Sequence, residues 1–242
     1  MTSFAPVVVV SVFAFAAGLA GCGALSNVGT ITFDLPPQSF SFDTSSSMWK
    51  APPAGFSTSP SVSCGTTGQA VADCCNPPAP APKPDCTATP LACENSVCVL
   101  EFPINQSQTI NLKMQVPQLA SLSGQTLTKI SISQVTYVID SSMNVDLPPV
   151  DVFIAPENVT SSSDPAAQKF GSIPTSPANM TTTGNMTLDA NGGAVFSQYA
   201  TAFNVPFNFI AHATMIVAPG TPIPSGMVTA TVTGKVSAKP NL

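Results

Sequence analysis

Cysteine is the residue type whose number and spacing in this 242-residue chain offer the most chemistry. Six of the seven cysteines fall within one 35-residue window that is also rich in proline. In an oxidising compartment, an even number of closely spaced cysteines predicts disulfide bonds, and six cysteines can pair in 15 ways. A bond between adjacent cysteines is strained, which removes some of these pairings without selecting one. The candidates are Cys64, Cys74, Cys75, Cys86, Cys93 and Cys98.

Zinc coordination is the competing interpretation of the same residues. Four residues separate Cys93 from Cys98, and these two thiolates could join Cys74 and Cys75 around one ion. No histidine lies nearby to complete a zinc site. A proline-rich segment that buries little apolar surface needs covalent cross-links to keep a defined fold. We therefore predict disulfides, each worth about 2–4 kcal/mol, with no metal and no cofactor.

Residues of catalytic type are few. His212 is the single histidine, and its place in an alternating strand puts it on the polar face. No Gly-x-Ser-x-Gly motif occurs, and the segment Ser47-Met-Trp-Lys50 lacks the companion motifs of penicillin-interacting enzymes. The sequence therefore predicts no catalytic residues and no enzyme. A secreted hydrolase that uses His212 is the alternative.

Two groups of acidic residues resemble cation ligands without completing a site. Asp189-Ala-Asn191-Gly begins like a calcium loop, but apolar residues follow where oxygen ligands are needed. The Asn191-Gly192 pair instead predicts a type I′ hairpin turn. Asp140, Asp146 and Asp151 flank two prolines and are interpreted as solvated loop acids, with a shared cation as the alternative.

The remaining cysteine, Cys22, ends an apolar N-terminal run. Residues 5–20 are apolar or small, but they are fewer than the roughly 20 that a membrane-spanning helix needs. The sequence Leu19-Ala20-Gly21-Cys22 resembles the lipobox of bacterial lipoproteins. In that family the cysteine thiol takes a diacylglyceryl group, and a signal peptidase cleaves before it. The alternatives are an ordinary secretory signal peptide and a retained membrane helix.

The resemblance implies where the mature protein is located and how it is anchored. Residues 1–21 would be a removed signal peptide, Cys22 the lipid attachment site, and residues 22–27 a membrane tether of roughly 20 Å. Two or three acyl chains bind a membrane far more strongly than one. Gly23 follows the cysteine where aspartate would retain such a protein at the inner membrane, so we expect the outer membrane.

The rest of the chain predicts an all-β fold, an antiparallel β-sandwich. Apolar residues alternate with polar ones in many short segments, and turn-forming residues separate these segments. A change of phase after Pro36-Pro37 and another near Ser133-Gln134 predict irregularities or bulges. We expect separate strands before and after a turn at 105–108, the second running through residues 110–116. We identify no long helix.

The predicted organisation is one sandwich domain, residues 28–242, that contains a Cys/Pro-rich insertion at residues 57–98. A bond from Cys98 would tie this insertion to the first core strand after it. Residues 141–149 and 156–184 are polar and are predicted to be loops that contact a protein or glycan partner.

Composition narrows the classes of function. Charged residues are 8% of the chain, the net charge is −5, and all seven basic residues are lysine, which excludes nucleic-acid binding. The 44% hydrophobic content argues against disorder. We therefore predict a non-enzymatic binding or assembly module of the cell envelope, with a purely structural envelope lipoprotein as the alternative.

Overall fold

The computed structural model describes residues 30–45, 63–64, 74, 91–121 and 127–241. The predicted signal peptide, Cys22, the tether and most of the insertion lie outside these residues. Within them, the chain forms two antiparallel sheets of four and six strands, which confirms the predicted β-sandwich with disulfides. No helix in the described part of the chain is long and apolar enough to span a bilayer.

The four-stranded sheet has the order β1-β10-β4-β7, and the six-stranded sheet has the order β2-β3-β9-β5-β6-β8. The strands are β1 (Ile31–Asp43), β2 (Leu91–Glu94), β3 (Val97–Ile110), β4 (Leu127–Ser141), β5 (Val150–Pro156), β6 (Gln168–Ile173), β7 (Thr181–Asn185), β8 (Thr187–Leu188), β9 (Phe207–Val217) and β10 (Met227–Pro240). Short helices in the same described ranges complete the fold, namely α1 (Leu112–Gln115), α2 (Pro117–Ala120) and α3 (Gly192–Thr201).

Both predicted changes of phase are irregularities in strand pairing. Between Leu35 and Gln38 the register of β1 against β10 shifts, so that Phe33, Leu35, Phe40 and Phe42 all point into the core. In β4 the pairing with β10 passes from Ile132 directly to Gln134 and skips Ser133. Each bulge keeps the apolar residues on one face although their parity in the sequence changes.

The predicted turn at residues 105–108 is wrong, because β3 runs unbroken to Ile110 and pairs along its length with β9. The predicted strand through 110–116 is also wrong. Asn111 caps α1 by accepting a hydrogen bond from the Met114 amide at 3.1 Å, and Pro117 begins α2. Apolar residues at alternating positions can belong to a strand or to two short helical turns that follow one another. Here the cap at Asn111 and the proline at position 117 favour the helical turns.

The predicted hairpin at Asn191-Gly192 is wrong, because α3 begins there. Asn191 has a φ of −102°, which a type I′ turn does not allow. Gly192 is required for a different reason: a Cβ at this position would collide with the backbone oxygen of Phe170 in β6. The helix buries Val195, Phe196 and Ala200.

The type I′ geometry instead occurs in the hairpin that joins β2 to β3. Asn95 and Ser96 both have positive φ, 49° and 63°, and Glu94 pairs with Val97 across the turn. Both strands begin inside the segment predicted as an insertion, and they form one edge of the six-stranded sheet.

The sandwich has two different ends. At the Thr30 end, where the described chain enters β1, helices α1 and α2 place Leu112, Val116 and Leu119 in the core. The loop end is formed by residues 142–149, 174–180 and 218–226, together with the β2–β3 hairpin. Toward the Thr30 end, an aromatic cluster of Phe170, Phe196, Phe207, Phe209 and Tyr199 fills the space between the sheets, with ring centroids 5.4–6.2 Å apart.

Candidate functional site

An apolar cleft lies between the two sheets, in the half of the sandwich nearer the loop end. Its volume is about 70 Å³. Both sheets contribute to its walls, and Leu147 and Pro148 contribute from the loop between β4 and β5. The other lining residues are Phe40, Ser41, Phe42, Ile104, Gln106, Ile139, Val150, Ala211, Ala213, Met215, Val228 and Ala230.

The cleft exists because the inward side of β9 changes from large to small residues. Phe207 and Phe209 are buried, whereas Ala211 and Ala213, which share their face, remain partly exposed. Ala230 faces the cleft from β10 in the opposite sheet. Small side chains on both sheets leave a gap that the flanking side chains do not fill.

The lining determines which ligands the cleft can accept. It includes no charged residue, and the surface that faces the cleft is almost entirely apolar. Side chains that border an unfilled apolar gap lack dispersion contacts on that side, which costs free energy. An aliphatic group would recover that energy, whereas a sugar would lose hydrogen bonds to water that this lining does not replace.

Hydrogen bonds hold the loop at 141–149 against its neighbours. Leu147 and Ser176 exchange backbone hydrogen bonds at 2.8 and 3.2 Å. The Asn144 side chain accepts a hydrogen bond from the Ser225 amide at 2.7 Å and donates one to the Ile223 carbonyl at 3.0 Å. The loop therefore acts as a fixed wall of the cleft.

The predicted loop at 156–184 contains two strands, β6 and β7, and that prediction is wrong over those residues. β6 lies in the six-stranded sheet between β5 and β8, with Phe170 and Ile173 fully buried. Gly171 and Ser172 lie together between these two core residues and interrupt the alternation, so the apolar pattern does not indicate a strand.

The remaining part, residues 157–167, packs on the outer face of the six-stranded sheet. Buried Asn208 donates to the carbonyls of Glu157 and Val159 at 2.8 Å each, and accepts from the Thr109 hydroxyl at 2.8 Å. Beneath the loop, Val159 packs with Ala155 and Ile210 in a small apolar cluster. This region is therefore pinned to the sheet.

His212 lies on the outer face of β9, as its alternation predicts. Its Nδ1 is 3.2 Å from Asn105 Oδ1, and its Nε2 is 3.5 Å from the Thr214 hydroxyl. The Ser162 hydroxyl donates to the same Asn105 oxygen at 2.7 Å. Serine and histidine thus meet at an amide oxygen, and the serine proton is directed away from the imidazole. The imidazole therefore does not activate the Ser162 hydroxyl.

The three loop acids have separate partners. Asp140 accepts from the Thr181 hydroxyl, Asp146 accepts from the Ala178 amide, and Asp151 pairs with Lys169, each at 2.9 Å. A cation shared by these three acids is not supported by this arrangement. Asp43, at the end of β1, accepts a hydrogen bond from the Ser45 amide at 2.7 Å. This hydrogen bond holds the pKa of the Asp43 carboxyl below its ordinary value.

Four of the predicted cysteines form two disulfides, Cys64–Cys93 and Cys74–Cys98, with Cα separations of 6.1 and 5.5 Å. The sulfur atoms of Cys64, Cys74 and Cys98 lie within 4.8 Å of one another, because the two bonds pack together. Sulfurs in these bonds are not thiolates available to zinc.

The disulfides attach the insertion to the sheet. Cys98 lies in β3, as the sequence predicts, and Cys93 faces it across the hairpin. The Cys64 amide also donates to the Ser96 carbonyl at 3.0 Å. Cys22, Cys75 and Cys86 lie outside the described residues.

Comparisons with known proteins identify no relative in sequence. No family model and no curated protein matches the chain. A decameric BFDV capsid protein is similar in structure, with 10% identity and a TM-score of 0.35 over 87% of this chain and 99% of that one. Turnip yellow mosaic virus protein gives 12% identity and a TM-score of 0.23 over 76% of this chain and 92% of that one. Similarity at this level does not indicate a function.

Proposed function

We propose that the protein is an exported lipoprotein, anchored through Cys22, whose β-sandwich is a non-enzymatic binding module of the cell envelope. The ligand class that we assign is a molecule with an aliphatic chain, bound in the cleft between the sheets. The observation that carries this assignment is an open cleft lined by alanine and other apolar side chains on both sheets. The outer membrane is the proposed location.

The lipid anchor rests on the lipobox resemblance and can be tested by intact mass spectrometry of the membrane-extracted protein. We expect a mature chain that begins at Cys22, carries acyl mass, and has its six other cysteines oxidised. With four of them paired, Cys75 and Cys86 are the expected third pair. A Cys22→Ser variant should lose the acyl mass. Recovery of wild-type protein with an unmodified Cys22 would overturn the anchor.

The cleft can be tested by calorimetric titration with decanol, a linear aliphatic alcohol. Ala213→Val adds two methyl groups to the cleft wall on a strand, where a β-branched residue is well tolerated. We expect wild-type protein to bind decanol and Ala213→Val to bind at least about tenfold more weakly, because the added methyls occupy the ligand's space.

The matched control is Ala120→Val, which adds the same methyls to an exposed position on α2, remote from the cleft. It should bind decanol as the wild type does. If the wild type does not bind the alcohol, the purely structural envelope role replaces the binding module. If all three proteins bind equally, the cleft is not the site.

The hydrolase alternative makes a separate prediction. His212→Ala should have no effect on turnover of generic esters and glycosides. The hydroxyl nearest the ring, that of Thr214, lies 3.5 Å from Nε2, beyond the roughly 2.6–3.2 Å typical of proton transfer. Any turnover that depends on His212 would contradict the non-enzymatic assignment.

A further inference from the structure

Three exposed lysines lie close together at one end of the sandwich. Lys113, Lys129 and Lys239 are exposed at the Thr30 end, on α1 and on the terminal parts of β4 and β10. The loop end carries the acidic residues Asp43, Glu94, Glu101, Asp140 and Asp146. Glu157, on the turn after β5, also lies at the Thr30 end, and Asp34 lies there opposite Lys235.

Two of these lysines are placed directly against each other. Lys129 and Lys239 are register partners in the pairing of β4 with β10, and both are exposed. Like charges opposite each other on neighbouring strands are destabilising unless an anion lies between them. Across all residues that the structure describes, the ion pair is Lys169 with Asp151, so the acidic residues leave this lysine pair uncompensated.

Exposed apolar side chains lie at the same end. Met114 on α1 is 81% exposed, and Val205, on the turn before β9, is 55% exposed. The two segments are adjacent, because the Lys113 amide donates to the Phe203 carbonyl at 3.0 Å. Lysines beside exposed apolar residues are the combination that surfaces in contact with a lipid headgroup layer use.

The point at which the chain enters β1 indicates which end of the sandwich would lie nearer a membrane. Ile31 pairs with Ala238, next to Lys239, so the segment that precedes Thr30 leaves the sandwich beside the lysine pair. Thr30 follows Cys22 by eight positions, which limits the reach between them to about 29 Å. A lipid on Cys22 would therefore hold the Thr30 end, rather than the loop end, against the bilayer.

We infer that the Thr30 end is a docking surface for an anionic membrane, with Lys129 and Lys239 binding lipid phosphates. This inference rests on the proposed anchor at Cys22 and goes beyond it by assigning an orientation. The lysines face the headgroups, and the acidic loop end points away from the bilayer. A basic residue close to an anionic surface is attracted within about one Debye length, so the contact weakens in salt.

The test is lysine acetylation of the membrane-extracted, full mature protein reconstituted in vesicles and read by mass spectrometry. One set of vesicles is phosphatidylcholine, and the other contains one quarter phosphatidylglycerol. At low salt we expect Lys113, Lys129 and Lys239 to label about fivefold more slowly on the anionic vesicles than on the neutral ones. Lys169 should label equally on both, and about 0.5 M NaCl should remove the difference.

Variants distinguish a specific effect of Lys129 and Lys239 from the effect of losing positive charge elsewhere on the protein. In Lys129→Gln/Lys239→Gln, the protection of Lys113 on anionic vesicles should fall to the level on neutral vesicles. Lys235→Gln is the matched control, because Lys235 is exposed on the same strand but lies opposite Asp34. It should keep the protection.

The outcomes distinguish the anchor from the orientation. Failure of the protein to float with neutral vesicles would overturn the anchor, because these vesicles offer no charge. Flotation with both kinds of vesicle, but with equal lysine labelling, would leave the anchor in place and overturn the docking surface. Protection of Lys169 in place of the lysine pair would also overturn it.

Discussion

The two halves of this sandwich are built from the same alternating pattern but are stabilised in different ways. In the half nearer the Thr30 end, phenylalanine rings and short helices fill the space between the sheets. In the half nearer the loop end, alanines leave a cleft, and two disulfides and side-chain hydrogen bonds hold the periphery.

The difference shows that residue size, rather than polarity, decides where an apolar interior is open. Phe209 and Ala211 are both apolar and face the same way in β9, yet one is buried and the other remains partly exposed. Where side chains do not fill the interior, the disulfides and hydrogen bonds around it have to supply the stability. The half nearer the loop end can therefore keep an open cleft for a ligand and still be stably folded.

The largest effect is expected from the filled half. Phe209→Ala removes a ring that contacts both Phe170 and Phe207, and should lower the free energy of unfolding by about 3–5 kcal/mol. Met215→Ala, at the cleft, should cost about 2 kcal/mol, because Met215 already borders open space. Urea unfolding of both variants measures this difference. An equal or greater loss for Met215→Ala would contradict the comparison.

Removing a disulfide should weaken the loop end selectively. Cys74→Ser/Cys98→Ser should cost about 2–4 kcal/mol, because the bond closes a segment with a sequence separation of 24. Hydrogen exchange should accelerate in the hairpin at residues 91–100 well before it does at residues 207–210. Cys64→Ser/Cys93→Ser is the companion variant and should show the same locality. Uniform acceleration through the domain would mean that the two halves unfold together.

The smallest contrast concerns two asparagines that pin loops. Asn208→Ala should cost about 2 kcal/mol, because it leaves the buried Val159 carbonyl without its donor and removes a partly buried hydrogen bond to the Glu157 carbonyl. Asn144→Ala breaks two comparable hydrogen bonds at an exposed position, where water replaces them, and should cost about 0.5–1 kcal/mol. Thermal unfolding of both variants tests the order, and the reverse order would contradict the role of burial.

The all-β class, both bulges and the bond from Cys98 to the insertion could be predicted because alternation and cysteine count are local signals. The helices were harder to predict. In α1 and α2 the apolar spacing imitates a strand, and the cap at Asn111 with Pro117 was the signal available. In α3, the spacing of Val195, Phe196, Tyr199 and Ala200 is helical, but Asn191-Gly192 strongly suggests a turn.

The cleft could not be predicted from the sequence. Its walls come from strands of both sheets and one loop that meet only after the sheets pack, so no local pattern brings Phe42, Ala213 and Ala230 together. Ala211 and Ala213 on a strand after two phenylalanines were a weak signal of reduced side-chain volume. The disulfide pairing was equally inaccessible, because it depends on the hairpin that places Cys93 opposite Cys98.

The two adjacent prolines in β1 have a consequence for how copies of this protein behave at high local density. β1 is the outer strand of its sheet, and Pro36 and Pro37 have no amide hydrogens to donate to another strand. The bulge at this point divides 13 residues into two short stretches. A second molecule cannot extend the sheet along the whole of β1, so crowding on a surface disfavours edge-to-edge aggregation through this strand.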